Sequence, residues 1–388
     1  MIDGESFLCA LGEDAVAYYP AADRLLVLNP TGKMVWELAN EGHGHAAIAS
    51  LFAQRFRITA ERAWHDVGQL LRVLGSDGSQ SDHPGHAKGS AARLPAARAA
   101  PAADPPPRGG CRGSFRFGDS RIRAMSSVAD LDEGFFARFQ QRVVEADGSE
   151  DVLEISQSGC VYLLTFRGSL VAEATTTSKM ISFVCELLLA LEHPKRPLLA
   201  FCHAGAVVWN EHSLLMPGLS GAGKSTLTAF LAAHGFLYLC DDTVALAQDD
   251  AAILPLPTCL SIKSGSWPII EPLYPALRSS PTLNRFSRSL RYVNPQDHCA
   301  ILQAAAAPSA IVFPNYAAGT STRLKPVSPR QTMICLLDAH ASLTTPATEE
   351  KLRKLIDFVE QTPAYELSYS ELPEAMQAIK DLLAARKQ

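Results

Sequence analysis

The sequence lacks the features that would place the chain in a membrane or in an oxidising compartment. Its 388 residues contain no uninterrupted apolar run of the ~18 residues that a membrane span requires. The first residues carry acids, Asp3 and Glu5, where a signal peptide needs basic residues. The nine cysteines are odd in number and include no CxxC pair, which excludes a disulfide framework and a cysteine zinc site. We therefore expect a reduced, cytoplasmic protein.

A strong charge of either sign is also missing. Lysine and arginine total 35 against 40 aspartates and glutamates, which gives a net charge of −5. Such a balance provides no basic field to recruit nucleic acid or an anionic membrane, so we expect neither as a partner. Any anionic ligand must be held by a local site. The length and a hydrophobic content of 47% are enough for two or three domains with sizeable cores.

Residues 1–75 have the pattern of a small winged-helix domain. Short alternating runs at residues 6–11, 15–19 and 24–28 predict three strands. Asn29 followed by Pro30 predicts a turn and a helix start, and two more helical patterns follow. Three strands and three helices in so short a segment are typical of a winged helix.

Residues 76–113 differ sharply in composition from the rest of the chain. They are rich in Ala, Pro, Gly and Ser and contain almost no large apolar residue, so they cannot bury enough surface to offset the entropy of ordering. We expect a flexible linker there. From residue 114 to residue 388, strand-like runs alternate with helical patterns, which predicts an α/β domain.

The glycine-rich stretch at residues 218–225 is the most specific chemical signal in the chain. It fits the pattern GxxxxGK[ST] and lies between an apolar strand-like run and a helical pattern. Backbone N–H groups of such a loop can surround phosphate oxygens, Lys224 can reach the β- and γ-phosphates, and the Ser225 hydroxyl can bind Mg²⁺. We therefore expect ATP and Mg²⁺ as cofactors, with the nucleotide held by Gly218, Leu219, Ser220, Gly221, Ala222, Gly223, Lys224, Ser225 and Thr226. The alternative interpretation is a structural glycine turn.

Two adjacent carboxylates, Asp241 and Asp242, follow the next predicted strand. Acids at the carboxyl end of a strand beside the phosphate-loop strand lie where α/β sheets bind ligands. One carboxylate can hold Mg²⁺ while the other accepts a proton from an attacking hydroxyl. A helix-capping or turn pair is the alternative. His203 precedes another predicted strand, and a histidine taken alone is more often structural than functional.

Taken together, His203, Lys224 and the Asp241-Asp242 pair resemble the catalytic core of HPr kinases, a P-loop family similar to ATP-dependent phosphoenolpyruvate carboxykinase. The resemblance implies that Asp242 is the catalytic base, that Asp241 binds magnesium or supports the base, and that His203 assists proton transfer. The family loop usually has Glu where Thr226 stands, and its later metal-binding Glu is missing from residues 258–265. Lys263 in that segment is either a phosphate-neutralising charge or a solvated surface lysine. The chain is more similar to divergent HPr-kinase-related enzymes found beside peptide-modification systems.

The segment from Leu28 to Leu38 resembles the LN-x-T-x-x-x-x-W-x-L pattern of PqqD-like domains through Asn29, Thr31 and Trp36. Those domains recognise the leader of a ribosomally synthesised peptide by adding it as a strand to a sheet edge. An unrelated winged helix with the same turn and the same core tryptophan is the alternative.

Both resemblances together predict a kinase that phosphorylates a Ser or Thr hydroxyl of a precursor peptide. The alternatives are a kinase acting on a small carrier protein or a hydroxyl metabolite, and a peptide chaperone driven by ATP hydrolysis without phosphoryl transfer. The HPr-kinase resemblance also allows a homo-oligomer, which the residues themselves leave open.

Overall fold

The computed structural model describes residues 6–19, 23–75, 98–99, 110–128, 135–285, 288–295 and 308–385. Its N-terminal part consists of strands β1 (Phe7–Leu11), β2 (Asp14–Tyr19) and β3 (Arg24–Leu28) and helices α1 (Pro30–Asn40), α2 (His45–Phe56) and α3 (Ala60–Gly75). The strands form an antiparallel sheet in the order β1-β2-β3. Helix α1 begins where the sequence predicts, because the Asn29 side chain accepts a hydrogen bond from the Gly32 N–H at 2.8 Å. The predicted winged-helix arrangement of three strands and three helices is present.

The rest of the described chain is α/β, as predicted. Its strands are β4 (Arg98–Ala99), β5 (Gly110–Phe117), β6 (Ser120–Ser126), β7 (Val143–Val144), β8 (Asp151–Ser158), β9 (Val161–Phe166), β10 (Ser169–Ala174), β11 (Leu198–Cys202), β12 (Ala204–Trp209), β13 (His212–Pro217), β14 (Leu237–Cys240), β15 (Val244–Ala247), β16 (Ile253–Leu254), β17 (Leu260–Lys263), β18 (Leu283–Arg285), β19 (Arg288–Val293), β20 (Pro308–Tyr316), β21 (Arg323–Val327), β22 (Ser342–Leu343) and β23 (Ala364–Tyr369). Its helices are α4 (Thr177–Glu192), α5 (Lys224–Ala233), α6 (Trp267–Ile270), α7 (Pro329–Asp338), α8 (Glu349–Gln361) and α9 (Leu372–Ala384), with short 3₁₀ helices at Ala137–Arg142, Ser264–Ser266 and Pro275–Arg278. None of the helices in the described ranges is long and apolar enough to cross a membrane.

The glycine-rich loop follows a strand of the central sheet, whose order is β14-β12-β13-β20-β23-β21. Strands β13, β20 and β23 run parallel to one another, whereas β12 is antiparallel to both β13 and β14. The carboxyl ends of β13 and β14 therefore lie at the same edge of the sheet as the amino end of β12. The expectation that the strand before the aspartate pair lies directly beside the phosphate-loop strand is wrong, because β12 lies between them.

A second sheet, in the order β16-β15-β11-β22, continues two strands of the central sheet. Strand β11 leads into β12 across one residue, His203, and β14 leads into β15 across Asp241, Asp242 and Thr243. Because β11 pairs with β15 and β12 pairs with β14, both breaks occur at the same level. The Asp242 backbone has φ +76°, in the left-handed region, which makes the break sharp. This junction brings the histidine and the aspartate pair together.

Helices cover both faces of the central sheet. Helices α5 and α9 pack on one face, and α7 and α8 pack on the other. A further antiparallel sheet, β17-β19-β18, packs beside α5. A larger sheet, in the order β4-β10-β9-β8-β6-β5-β7, packs with α4 and with the apolar face of the second sheet. These layers do not cover the edge of the central sheet that carries the glycine-rich loop, and residues 219–221 of the loop are exposed to solvent.

The N-terminal sheet is buried on both faces. One face packs on α1, α2 and α3 through Ala17, Tyr19 and Leu28. The other face joins the core of the α/β part, where Cys9, Leu11, Val16 and Tyr18 share a cluster with Met333, Leu336, Leu352, Leu355 and Val359 of α7 and α8. Polar contacts also cross the interface: Lys179 pairs with Asp23, Arg330 Nε lies 3.3 Å from Asp14 Oδ2, and the Gly12 N–H donates to Glu360 Oε1 at 3.1 Å. The N-terminal domain is therefore packed directly against the α/β part.

Most of the segment predicted as a linker, 76–97 and 100–109, lies outside the described residues. Its described parts take part in sheets. Arg98 and Ala99 pair with the start of β10, and β5 begins at Gly110, four positions before the α/β pattern becomes visible in the sequence at residue 114.

Candidate active site

The glycine-rich loop connects β13 to α5 as the sequence predicts. Gly221 and Gly223 adopt φ +103° and +94°, which only glycine adopts easily, and Gly223 caps the amino end of α5. The loop therefore presents its N–H groups and the positive end of a helix dipole at one point, an arrangement suited to phosphate. Leu219 at the loop tip is exposed.

Lys224 is the first residue of α5 and is 5% exposed. Its ammonium donates hydrogen bonds to the carbonyl oxygens of Gly218 (2.6 Å) and Leu219 (3.0 Å) in the loop itself. Burial lowers the pKa of Lys224 to about 8, although the charges of Asp241 and Asp242 oppose that shift. The lysine charge is thus held inside the loop, where phosphate oxygens could replace the two carbonyl oxygens as partners.

Asp241 lies deep in the site, only 1% exposed. Its Oδ1 accepts a hydrogen bond from Ser225 Oγ at 3.3 Å, while its Oδ2 is buried without a partner among the described residues. Burial raises the pKa of Asp241, and the nearby charge of Asp242 raises it further. An unpartnered buried carboxylate oxygen beside a serine hydroxyl fits an oxygen-ligated cation such as Mg²⁺. The described residues contain no group of three His, Cys, Asp or Glu placed to hold a metal, so such an ion would also need phosphate and water ligands.

Asp242 is held by two cationic or proton-donating side chains and is about one-third exposed. Arg138 Nη1 lies 2.8 Å from its Oδ2, and His203 Nδ1 lies 3.1 Å from its Oδ1. The same His203 nitrogen lies 2.7 Å from the Asp242 carbonyl oxygen. Because a carbonyl oxygen only accepts, Nδ1 of His203 must carry a proton. The His203 backbone is fixed in turn, since its N–H donates to the Ala339 oxygen at 3.0 Å.

The structure thus brings all the predicted site residues to one edge of the sheet. It also places two further residues there: Arg138, which the sequence did not single out, and Lys263, whose role the sequence did not decide. Arg138 is 4% exposed in the 3₁₀ helix Ala137–Arg142. Burial acts to lower its pKa, but the interactions with Asp242 and Tyr292 together raise the pKa above its ordinary value. Lys263 Nζ lies 2.8 Å from Ser220 Oγ of the loop, which favours the phosphate-neutralising interpretation of that lysine.

No sequence signal pointed to Arg138. It lies in the segment FFARFQQR, whose phenylalanines predict only burial. Its guanidinium stacks 4.9 Å from the centre of the Phe135 ring, and its backbone oxygen accepts a hydrogen bond from the Cys259 N–H at 2.6 Å. An arginine is almost never fully buried without a partner. The sequence around Arg138 does not identify that partner, so only the fold reveals it.

Comparison with known proteins gives two similarities. Residues 14–78 match the family model of coenzyme PQQ synthesis protein D (PqqD), which confirms the predicted PqqD-like domain. No curated protein matches the chain. Among solved structures, the HPr(Ser) kinase/phosphatase from Coxiella burnetii is similar at 10% identity and a TM-score of 0.25, over 48% of this chain and 99% of that one. That structure comes from the family whose motif the sequence resembles.

Proposed function

We propose that this protein is an ATP- and Mg²⁺-dependent kinase that phosphorylates a Ser or Thr hydroxyl of a ribosomally synthesised precursor peptide. In this proposal residues 1–75 bind the leader of the peptide, residues 76–113 connect the two parts, and residues 114–388 transfer the phosphoryl group. The observation that carries the proposal is the convergence of Lys224, Ser225, Asp241, Asp242 and His203 at one sheet edge.

The glycine-rich loop would hold the triphosphate. Its N–H groups and the amino end of α5 would bind phosphate oxygens, and Lys224 would exchange its two loop carbonyl partners for the β- and γ-phosphates. Lys263, hydrogen-bonded to Ser220, adds a second positive charge on the same side. Ser225 Oγ and Asp241 would hold Mg²⁺, which neutralises phosphate charge during transfer.

Asp242 would accept the proton of the attacking hydroxyl. Arg138 and His203 each contact a different oxygen of its carboxylate and so hold it in one orientation, which favours a reproducible position for the substrate hydroxyl. The hydroxyl oxygen forms the new bond to the γ-phosphorus, the bond to the bridging oxygen of ADP breaks, and the proton passes to Asp242. Most of the catalysis would come from positioning and charge neutralisation.

The N-terminal sheet would bind the leader. Within the described residues β3 pairs with β2 on one side, and an extended peptide could add to its other edge. The described contacts of this domain with α7 and α8 would give a bound leader a defined position relative to the active site. Presentation of the substrate would then depend on this docking as well as on the connecting segment.

The test is intact mass spectrometry of a precursor peptide from a neighbouring gene, incubated with the protein and Mg-ATP. We expect a gain of about 80 Da per phosphate, which disappears with Lys224→Ala and with Asp242→Asn. Lys354→Ala and Asp249→Asn are matched controls, because both residues form exposed ion pairs away from the site. A peptide without its leader should react more slowly at low concentration, whereas ATP consumption without any mass gain on a bound peptide would refute the proposal.

A further inference from the structure

Strand β20 ends at the same edge as the glycine-rich loop, on the other side of β13 from β12 and β14. Its last residue is Tyr316, which is 49% exposed although most of the strand before it is buried. Other rings of the described chain, such as Phe56 and Trp64, are also exposed, but Tyr316 lies directly beside the glycine-rich loop.

The Tyr316 ring is firmly supported from the protein side. Its backbone N–H donates a hydrogen bond to the Ala222 oxygen at 3.3 Å, which attaches the residue to the loop. Beneath it lies Tyr369, the last residue of β23, with the two ring centres 5.8 Å apart and the planes at 68°. A Cβ on Gly223 would lie 2.4 Å from Tyr369 Oη and 3.2 Å from Tyr316 Cβ, so both tyrosines are packed closely against the loop.

The order of the strands fixes the direction in which a bound nucleotide would extend. The acids and His203 lie on the β12–β14 side of the loop, and Lys263 reaches Ser220 from β17, which packs in the same cluster as Tyr238 of β14. The γ-phosphate must point towards Asp242 for transfer. The nucleoside must therefore leave the loop in the opposite direction, over β20 and β23, where Tyr316 lies.

We propose that Tyr316 is the stacking platform for the nucleobase of the bound nucleoside triphosphate. This inference depends on the nucleotide site of the proposed function and adds the base subsite that the loop itself does not define. An aromatic ring stacks on the π-face of any base, so Tyr316 strengthens binding without choosing between adenine and guanine. Tyr369, buried below, acts as a support.

The experiment measures binding by calorimetry with Mg²⁺ and three probes: the non-hydrolysable analogues AMPPNP and GMPPNP, and inorganic tripolyphosphate, which has no base. We expect Tyr316→Ala to weaken both analogues by about 5- to 100-fold and to leave tripolyphosphate binding unchanged. Tyr316→Phe keeps the π-face and should bind within about twofold of the wild type. Phe56→Ala, which removes another exposed ring at a distant helix, is the control and should change nothing.

Three outcomes would overturn the inference: unchanged analogue affinity in Tyr316→Ala, a parallel loss of tripolyphosphate affinity, or a wild type that binds AMPPNP no more tightly than tripolyphosphate. The peptide assay separates this inference from the proposed function. If nucleotide binding depends on the base and on Tyr316 but no phosphopeptide forms, the stacking role of Tyr316 is supported and the proposed peptide kinase activity is refuted. If a phosphopeptide forms but Tyr316→Ala binds the analogues as tightly as the wild type, the kinase activity is supported and the stacking role is refuted.

Discussion

The guanidinium of Arg138 lies 2.8 Å from the carboxylate of Asp242, although the two residues belong to different layers of the molecule. Arg138 lies in a 3₁₀ helix beside β5, whereas Asp242 lies in the junction between β14 and β15. The pair is asymmetric in burial, since the Arg138 side chain is 5% exposed and that of Asp242 is 34% exposed. The two partners should therefore respond differently to removal.

Asp242→Ala should destabilise the protein far more than Arg138→Met. The first change leaves a buried arginine without its carboxylate, which costs about 3–5 kcal/mol, whereas the second leaves a carboxylate that water can reach. The double variant removes both charges and should recover much of the stability lost in Asp242→Ala. Urea unfolding of the three variants measures these free energies of unfolding. A single Asp242→Ala variant as stable as the wild type would contradict the burial of Arg138.

Asp241→Asn should stabilise the nucleotide-free protein while abolishing phosphoryl transfer. The carboxylate is buried, and its pKa is raised by burial and by Asp242, so its ionised form is unfavourable until a cation binds. We expect the melting temperature to rise by about 2 °C or more and the extra stabilisation by Mg-ATP to disappear. Thermal unfolding with and without Mg-ATP measures both effects, with Asp249→Asn as the exposed control. An unaltered response to Mg-ATP would exclude Asp241 as a metal ligand.

Gly205→Ala should destabilise the protein, because Gly205 of β12 lies in close contact with α5. A Cβ at Gly205 would lie 2.1 Å from Thr228 Oγ1, a buried hydroxyl without a hydrogen-bond partner among the described residues. Forcing that contact should cost about 1–3 kcal/mol, and Thr228→Ala in the same chain should restore most of it. Gly265→Ala meets open space and serves as the control in denaturant unfolding. Failure of the second substitution to rescue the first would mean that the helix packs differently.

Glu186 should make stability fall with pH in the neutral range. Burial raises the pKa of Glu186 to about 7, against an ordinary value of 4.5. The folded state therefore binds more protons than the unfolded state between these values, and the stabilisation present below pH 4.5 is lost as the pH rises through about 7. In Glu186→Gln, the fall in unfolding free energy from about pH 5 to pH 8 should shrink by about 2 kcal/mol. Urea unfolding at several pH values checks this, and identical slopes for both proteins would refute it.

The sequence predicts local structure correctly where a few neighbouring residues determine it. The glycine-rich pattern predicted its strand, loop and helix, because each position has its own backbone or phosphate requirement. Asn29 caps α1 through a side-chain hydrogen bond, at the helix start that the sequence predicts. These features depend on neighbours along the chain.

Features that depend on distant neighbours were not predicted. The sequence cannot show that β12 separates β13 from β14, because strand order depends on pairing between distant segments. The link from Arg138 to Asp242 spans the two layers for the same reason. The description of residues 24–28 as an alternating run is wrong, because Leu25 to Leu28 are all apolar. A continuous apolar run is typical of a strand with both faces covered, which is how β3 lies in the structure.

The doubly buried N-terminal sheet limits how this protein can be rebuilt. The core of the α/β part includes four residues of the N-terminal sheet: Cys9, Leu11, Val16 and Tyr18. Removal of the first 75 residues would therefore expose the apolar side chains of α7 and α8 that these residues cover. The PqqD-like N-terminal domain therefore cannot be exchanged independently of the α/β part. A chimaera that exchanges it for another PqqD-like domain would also need a sheet face that fits α7 and α8. Under the proposed function, changes of peptide specificity are better sought at the edge of β3 than by exchange of the whole domain.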